Sequence, residues 1–213
     1  MQSPNFSEEK KLWKKGFKCI AGLDEVGRGP LAGPVVACAV FVKPYAKILV
    51  TGINDSKKLS EKQREVLYKN LINHKDIKWE IGIVSEKVID KINILEATKL
   101  AMKKAVKNMN PDYLLIDGNF GLNMNISEKY IVKGDQKVLS ISIASIIAKV
   151  TRDRIMEKFH KKYPQYGFNK HKGYGTAFHM AMIKKFGPCK IHRASFYPVS
   201  QFSGFRGATI ASF

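Results

Sequence analysis

Cysteine is scarce in this chain: three residues, Cys19, Cys38 and Cys189, among 213. The number is odd, the positions are scattered, and CxxC spacing is missing. That excludes a disulfide framework or a zinc ribbon and leaves reduced thiols in a cytoplasmic protein as the simplest account. Long apolar runs are also missing. No stretch approaches the roughly 20 residues of a membrane-spanning helix, and residues 1–18 are polar and mixed in charge, unlike a secretory signal. His160, His171, His179 and His192 lack the tight spacing of a zinc site and are expected in structural or phosphate-facing roles. Neither a Walker A sequence nor an internal repeat is present. The scarce charge is the negative one: 18 Asp+Glu stand against 37 Lys+Arg, a net +19. Because the basic residues are spread along the chain, a polyanionic partner is expected, nucleic acid first, although a Lys-rich compositional bias accounts for part of the excess.

The length suits one domain over 1–213, with a helical lead-in at 1–17 and a tail from about 199. Charge and apolar spacing predict a short helix over 8–15 and a strand over 18–23. After a glycine turn at 27–33, the β-branched run 35–42 reads as a second strand, antiparallel to the first. A loop over 43–56 precedes a helix from a capping box at Ser60 and Gln63 to about Leu71, with Val66, Leu67 and Leu71 at helical spacing. Residues 77–84 read as a strand, Ser85 as the cap of a short helical turn, and 94–108 as a separate helix ended by Asn110-Pro111. The apolar run 113–116 reads as a strand buried on both faces. A strand over 129–133, a long helix over 139–159 and a helix over 177–186 complete the order. Strands in a run, then strand and helix alternating, imply a mixed sheet with helices on both faces and a site at the C-terminal strand edges.

Acids fall at those edges. Asp24 and Glu25 follow the first strand, Asp117 ends the buried one, and Asp135 follows the next. Carboxylates gathered together repel, so such a cluster is stable only around hard divalent cations, and two ions about 3.5–4 Å apart is the usual arrangement for phosphodiester cleavage. Successive strand residues point to opposite faces, so Asp24 and Glu25 share a site only if the strand ends or bulges there. For Asp117, pairing with Asn119 or a lysine stands equally open. Asp153, between Arg152 and Arg154, reads as a salt-bridged surface acid. Residues 27–32 fit the dinucleotide pattern G-x-G-x-x-G/A, but the preceding acids would repel a pyrophosphate, and the following segment reads as strand, not helix. His171-Lys172-Gly173-Tyr174-Gly175-Thr176 suits a loop that touches a nucleic-acid backbone, with Tyr174 exposed. A non-catalytic basic RNA-binding protein would explain the charge, though not the acids.

Several of these stretches together resemble the ribonuclease HII family: Asp24-Glu25-Val26-Gly27-Arg28-Gly29-Pro30-Leu31-Ala32-Gly33-Pro34, Asn54-Asp55-Ser56-Lys57-Lys58-Leu59, Asp117-Gly118, Lys133-Gly134-Asp135, residues 145–153, residues 171–176 and His192-Arg193-Ala194-Ser195-Phe196. The resemblance runs in order from about Ile20 to Val199. It implies an α/β ribonuclease H-like fold, a five-stranded mixed sheet flanked by helices, with a short C-terminal extension where many family members continue into helices. It implies a monomer that cleaves the RNA strand of RNA–DNA hybrids and nicks duplex DNA at embedded ribonucleotides, leaving 5′-phosphate and 3′-hydroxyl ends, with two Mg²⁺ or Mn²⁺ ions as cofactor. By the same resemblance Asp24, Glu25, Asp117 and Asp135 match the metal-binding acids, and Gly27-Arg28-Gly29 match the loop that reads the ribose 2′-hydroxyl. Tyr174 matches the residue that packs on the next deoxyribose, Lys57 a phosphate contact, and Asp153 an accessory acid.

Overall fold

Two of the apolar runs form neighbouring strands with the expected bounds, β2 (Val35–Val42) and β3 (Ile77–Val84). The computed structural model describes residues 3–44, 46, 53 and 60–205, apart from the side chains of 61 and 203–205. Within it β1 (Ile20–Val26), β4 (Tyr113–Asp117) and β5 (Ser127–Ile131) complete a five-stranded sheet of order β3-β2-β1-β4-β5. The β1–β2 and β2–β3 pairs are antiparallel, whereas β1–β4 and β4–β5 are parallel. Helix α1 (Ser7–Lys14) precedes the sheet, and α2 (Glu61–Ile72) opens with the expected reciprocal Ser60–Gln63 capping box. The remaining helices are α3 (Glu86–Val106), α4 (Leu139–Lys162), α5 (Phe168–His171) and α6 (Ala177–Phe186). No helix among the described residues is long and apolar enough to cross a membrane.

The sheet is covered on both faces. Ala21, Leu23, Ala37, Leu114 and Ile116 pack with Ala97, Ala101 and Met102 of α3 on one side. On the other, Val36, Cys38 and Val40 pack with Ile143, Ala144 and Ile147 of α4, with Leu67 and Leu71 of α2 in the same cluster. Helix α4 sits so close to β1 that a Cβ on Gly22 would lie 2.3 Å from Ser140 Oγ, which explains a glycine in the middle of this strand. Val66 points outward at 56% exposure, so α2 buries Tyr68 in its place.

Several boundaries differ from the sequence reading, three of them in ways that shape the molecule. β1 does not end before the acids but runs through them to Val26, because its backbone still pairs with β2 there (Asp24 with Cys38, Glu25 with Ala37). The segments around 86 and 94–108 join in one element, α3, kinked at Asn93 (φ 65°), whose Oδ1 accepts from the N–H groups of Leu95 and Glu96 at 2.9 and 3.1 Å. Asn93 thus caps the second segment from within. β5 begins two residues early, and Lys133 falls in a left-handed turn (φ 57°).

Glu9 ties α1 to the long helix. Its buried Oε1 accepts from Ser140 N–H at 3.0 Å and Ser140 Oγ at 2.8 Å, in the first turn of α4, where the backbone N–H groups have no intrahelical partner. Glu9→Ala should therefore cost about 1–3 kcal/mol, read as a lower thermal midpoint, with unchanged activity per folded molecule.

Candidate active site

Parallel pairing of β1 with β4 stops at Leu23 opposite Ile116, so the next residues, Asp24 and Asp117, stand side by side at the C-terminal edge. Both point to the α4 face. Asp117 Oδ1 accepts from Gly134 N–H at 2.7 Å, which fixes the 3₁₀ turn Gly134–Gln136 and brings Asp135 beside the pair. Glu25 belongs to the opposite face by alternation, but with no β4 residue beyond Asp117 alongside it nothing separates the faces. Neither a strand end nor a bulge is needed for the two acids to share a site. A cavity of about 340 Å³ is lined by all four carboxylates, with Ser145, Lys149 and Arg64 in its wall.

These acids are held in a costly state. Burial, then the charges of Glu25 and Asp117, push Asp24 well above the ordinary carboxylate range, although the Ser145 side chain hydrogen-bonds to it and opposes this. Burial also raises Glu25 and Asp117. Asp24 and Asp117 repel one another when both are ionised, and the charge of Asp117 adds to the rise at Asp24. Glu25 Oε1 meets Arg28 Nη1 at 3.4 Å, while its buried Oε2 has no hydrogen-bond partner among the described residues. An all-oxygen donor set with an orphaned buried carboxylate oxygen fits a hard divalent cation such as Mg²⁺ or Mn²⁺. Among the described residues no three His, Cys, Asp or Glu side chains are gathered closely enough to hold a metal unaided. The site is therefore open, as Mg²⁺ sites completed by water and substrate phosphate are.

The glycine turn lies beside this cavity, and its two glycines serve different ends. Gly27 (φ +97°) has Arg152 against it: a Cβ there would meet Arg152 Nε at 2.2 Å. Gly29 faces open space apart from the Tyr174 ring, whose Cε1 would be 3.8 Å from its Cβ. Tyr174 is 43% exposed, in accord with the sequence reading. Arg28 reaches back to Glu25 and lies over the Phe120 ring at 5.5 Å. Asp153 pairs with Lys149 Nζ at 2.8 Å, the salt bridge expected of it, although Lys149 belongs to the cavity wall and not to the outer surface. Lys57 lies outside the described residues.

The model of the family described as ribonuclease HII matches residues 21–199. The chain belongs to the ribonuclease HII family. It is 58% identical over 190 residues to the ribonuclease HII of Acetivibrio thermocellus, covering 88% of this chain and 73% of that one. It is 55% identical over 195 residues to that of Chlamydia caviae, covering 91% of each. The fold is similar to that in a structure of the PCNA:RNase HII complex from Archaeoglobus fulgidus (TM-score 0.73, 25% identity, 84% of this chain and 95% of the other). Membership makes the protein a metal-dependent ribonuclease of the ribonuclease H class with a mixed five-stranded sheet, and it sets aside the non-catalytic RNA-binding reading.

The sequence reading missed Arg64, Ser145 and Lys149 as cavity residues. Ser145, Lys149 and Asp153 form an i, i+4, i+8 polar stripe along α4, a signal that was available. Arg64 has no such local signal.

Two of the histidines, His179 and His192, have structural roles that spacing alone does not give. His179 Nδ1 lies 2.9 Å from the Tyr174 carbonyl, which only accepts, so Nδ1 carries the proton. His179 Nε2 then accepts from His192 Nε2, 3.0 Å away, and His192 Nδ1 accepts from Cys189 N–H at 2.9 Å. This chain of neutral rings ends on the backbone of Tyr174. Burial lowers His179 to about 4 and His192, helped by its neighbour His179, to about 3. The unfolded chain binds these protons near pH 6.5, so the stabilisation is complete above that value and is lost as pH falls toward 4 and 3. Stability should drop by up to about 1.4 kcal/mol per pH unit for each proton taken up on unfolding. Denaturant titrations between pH 7 and 4 check this, and a His179→Asn, His192→Gln variant should have a flatter profile.

Proposed function

We propose that this enzyme hydrolyses the RNA strand of RNA–DNA hybrids and nicks duplex DNA on the 5′ side of a single embedded ribonucleotide, leaving 5′-phosphate and 3′-hydroxyl ends. The observation that carries the reading is the convergence of Asp24, Glu25, Asp117 and Asp135 on one open cavity, with a buried Glu25 oxygen that has no partner among the described residues. These four acids would hold two Mg²⁺ or Mn²⁺ ions. Bound there, the ions supply Lewis-acid stabilisation of charge on the phosphate and lower the pKa of the attacking water. Gly27-Arg28-Gly29 admit the ribose and hydrogen-bond its 2′-hydroxyl, and Tyr174 packs on the deoxyribose beyond it. Lys149 and Arg64, the cations of the cavity wall, attract the phosphate, Lys57 takes a phosphate further along the strand, and Asp153 keeps Lys149 in place as an accessory acid. The three free cysteines suit a monomer at work in the reducing cytoplasm.

Labelled RNA–DNA hybrid, duplex DNA and duplex RNA incubated with and without EDTA test this. Cleavage of the hybrid alone, abolished by EDTA and restored by excess Mg²⁺ or Mn²⁺, is expected. A protein that binds the hybrid without cutting it, or cuts in EDTA, would overturn the reading.

A further inference from the structure

Arg152 and Arg193 are both 0% exposed, the two largest fully buried side chains among the described residues, and within those residues neither guanidinium has a carboxylate hydrogen-bonded to it. Buried cations without an ionic partner are costly, and a fold keeps them only where many hydrogen bonds offset the cost. Here every bond goes to main-chain carbonyls around the glycine turn. Arg193 donates to Gly27 O at 2.5 Å, Arg28 O at 2.8 Å and Gly33 O at 2.9 and 3.0 Å. Arg152 donates to Pro34 O at 3.0 Å, Ala32 O at 3.1 Å and Lys172 O at 2.9 Å.

We infer that Arg152 and Arg193 are positioning residues that set the selectivity for ribose, by fixing the carbonyls of Gly27, Arg28, Ala32, Gly33 and Pro34 inward so that the peptide N–H groups of Arg28 and Gly29 face the substrate. This rests on the ribose-reading role proposed above for that turn. Three further observations support it. The N–H groups of Gly27, Arg28 and Gly29 have no hydrogen-bond acceptor among the described residues. A peptide plane whose oxygen is pinned on one side presents its N–H on the other, and two peptides of the turn, those with the Gly27 and Arg28 carbonyls, are pinned by one guanidinium. Arg152 also holds Lys172 O, and Leu31 N–H donates to Gly173 O at 2.8 Å, so Arg152 helps to register the Tyr174 segment against the turn. Because a planar fork with fixed donor directions makes these contacts, lysine cannot reproduce them despite its equal charge.

The test is the ratio of dissociation constants for an all-DNA duplex and the same duplex with one ribonucleotide, measured on the full chain in EDTA so that no turnover occurs. The unmodified protein should favour the ribonucleotide duplex. Arg193→Lys should lower that ratio at least about tenfold, the scale of one lost charge-assisted hydrogen bond, while affinity for all-DNA duplex stays the same. Arg152→Lys, which leaves the Arg193 contacts in place, is the second variant and should lower the ratio less. A third measurement needs no substitution: the Nε–H resonances of Arg152 and Arg193 should exchange slowly and shift on adding the ribonucleotide duplex but not all-DNA duplex. A variant that is less stable yet discriminates as the parent does, or guanidinium signals that respond alike to both duplexes, would overturn the inference. If the parent itself makes no distinction, the ribose-reading role falls, and this inference with it.

Discussion

Asp24→Asn should silence cleavage and stabilise the protein in EDTA. Burial and the neighbouring Glu25 and Asp117 raise Asp24 in the folded state, so the native protein holds that proton more tightly than the unfolded chain does. The sign follows: as pH rises above the ordinary carboxylate range of about 4, the unfolded chain gives up the proton first and the native state loses stability until Asp24 also ionises. Asparagine cannot ionise and keeps a hydrogen-bonding group for Ser145 and Asp117, so at neutral pH the thermal midpoint should rise by about 2–4 °C for each kcal/mol of repulsion relieved. Activity should move the other way. A metal's stabilisation of transition-state charge is worth several kcal/mol, so losing a ligand should cost at least about 100-fold, at about 1.4 kcal/mol per factor of ten. Mg²⁺ or Mn²⁺ should raise the midpoint of the parent more than that of the variant, since only the parent offers the full acid set. Melting curves with and without metal, beside single-turnover rates, check both halves. Near-normal activity for Asp24→Asn in Mg²⁺ would remove the acids from the chemistry.

Tyr174→Ala should depress nicking at an embedded ribonucleotide by about 10-fold or more, and cleavage of a uniform hybrid by clearly less. An aromatic ring stacked on a nucleotide is worth about 1–3 kcal/mol, and a deoxyribose lies flat on it without burying a 2′-hydroxyl that must be desolvated. The substitution is a clean one here. The segment is held by its backbone, through Tyr174 N–H to His171 O at 2.9 Å, Thr176 N–H to Tyr174 O at 2.9 Å and His179 Nδ1 to the same carbonyl, and not by the half-exposed ring. Stability should accordingly stay within about 0.5 kcal/mol of the parent. Parallel rate measurements on the two duplexes decide the matter, and equal losses on both would refute a role in reading the junction.

Legibility followed locality. β2 and β3 were readable because a continuous or alternating apolar run between turn residues has few other uses. The start of β5 was not, since Ser127, Lys129 and Tyr130 are exposed, Glu128 and Ile131 only partly buried, and the alternation is faint. β1 was cut short because acids look like an ending, while the backbone of Asp24 and Glu25 is free to pair with β2 whatever the side chains carry. All four site acids were legible by position, as punctuation after apolar runs. Their meeting depends on the parallel β1–β4 register, which no local pattern encodes. Arg152 and Arg193 illustrate the limit: each reads as one more surface cation in a chain of net +19, and only the folded turn, 118 to 166 residues away along the chain for most of these contacts, makes them core residues.

Whether this cavity cuts beside one ribose is decided by mapping the cut in a DNA duplex that carries a single ribonucleotide. With Mg²⁺ or Mn²⁺, one nick is expected, on the 5′ side of the ribonucleotide, leaving 3′-hydroxyl and 5′-phosphate ends, and none on the all-deoxy duplex. An intact single-ribonucleotide duplex alongside efficient cleavage of a long RNA–DNA hybrid, or a cut on the 3′ side, would contradict it.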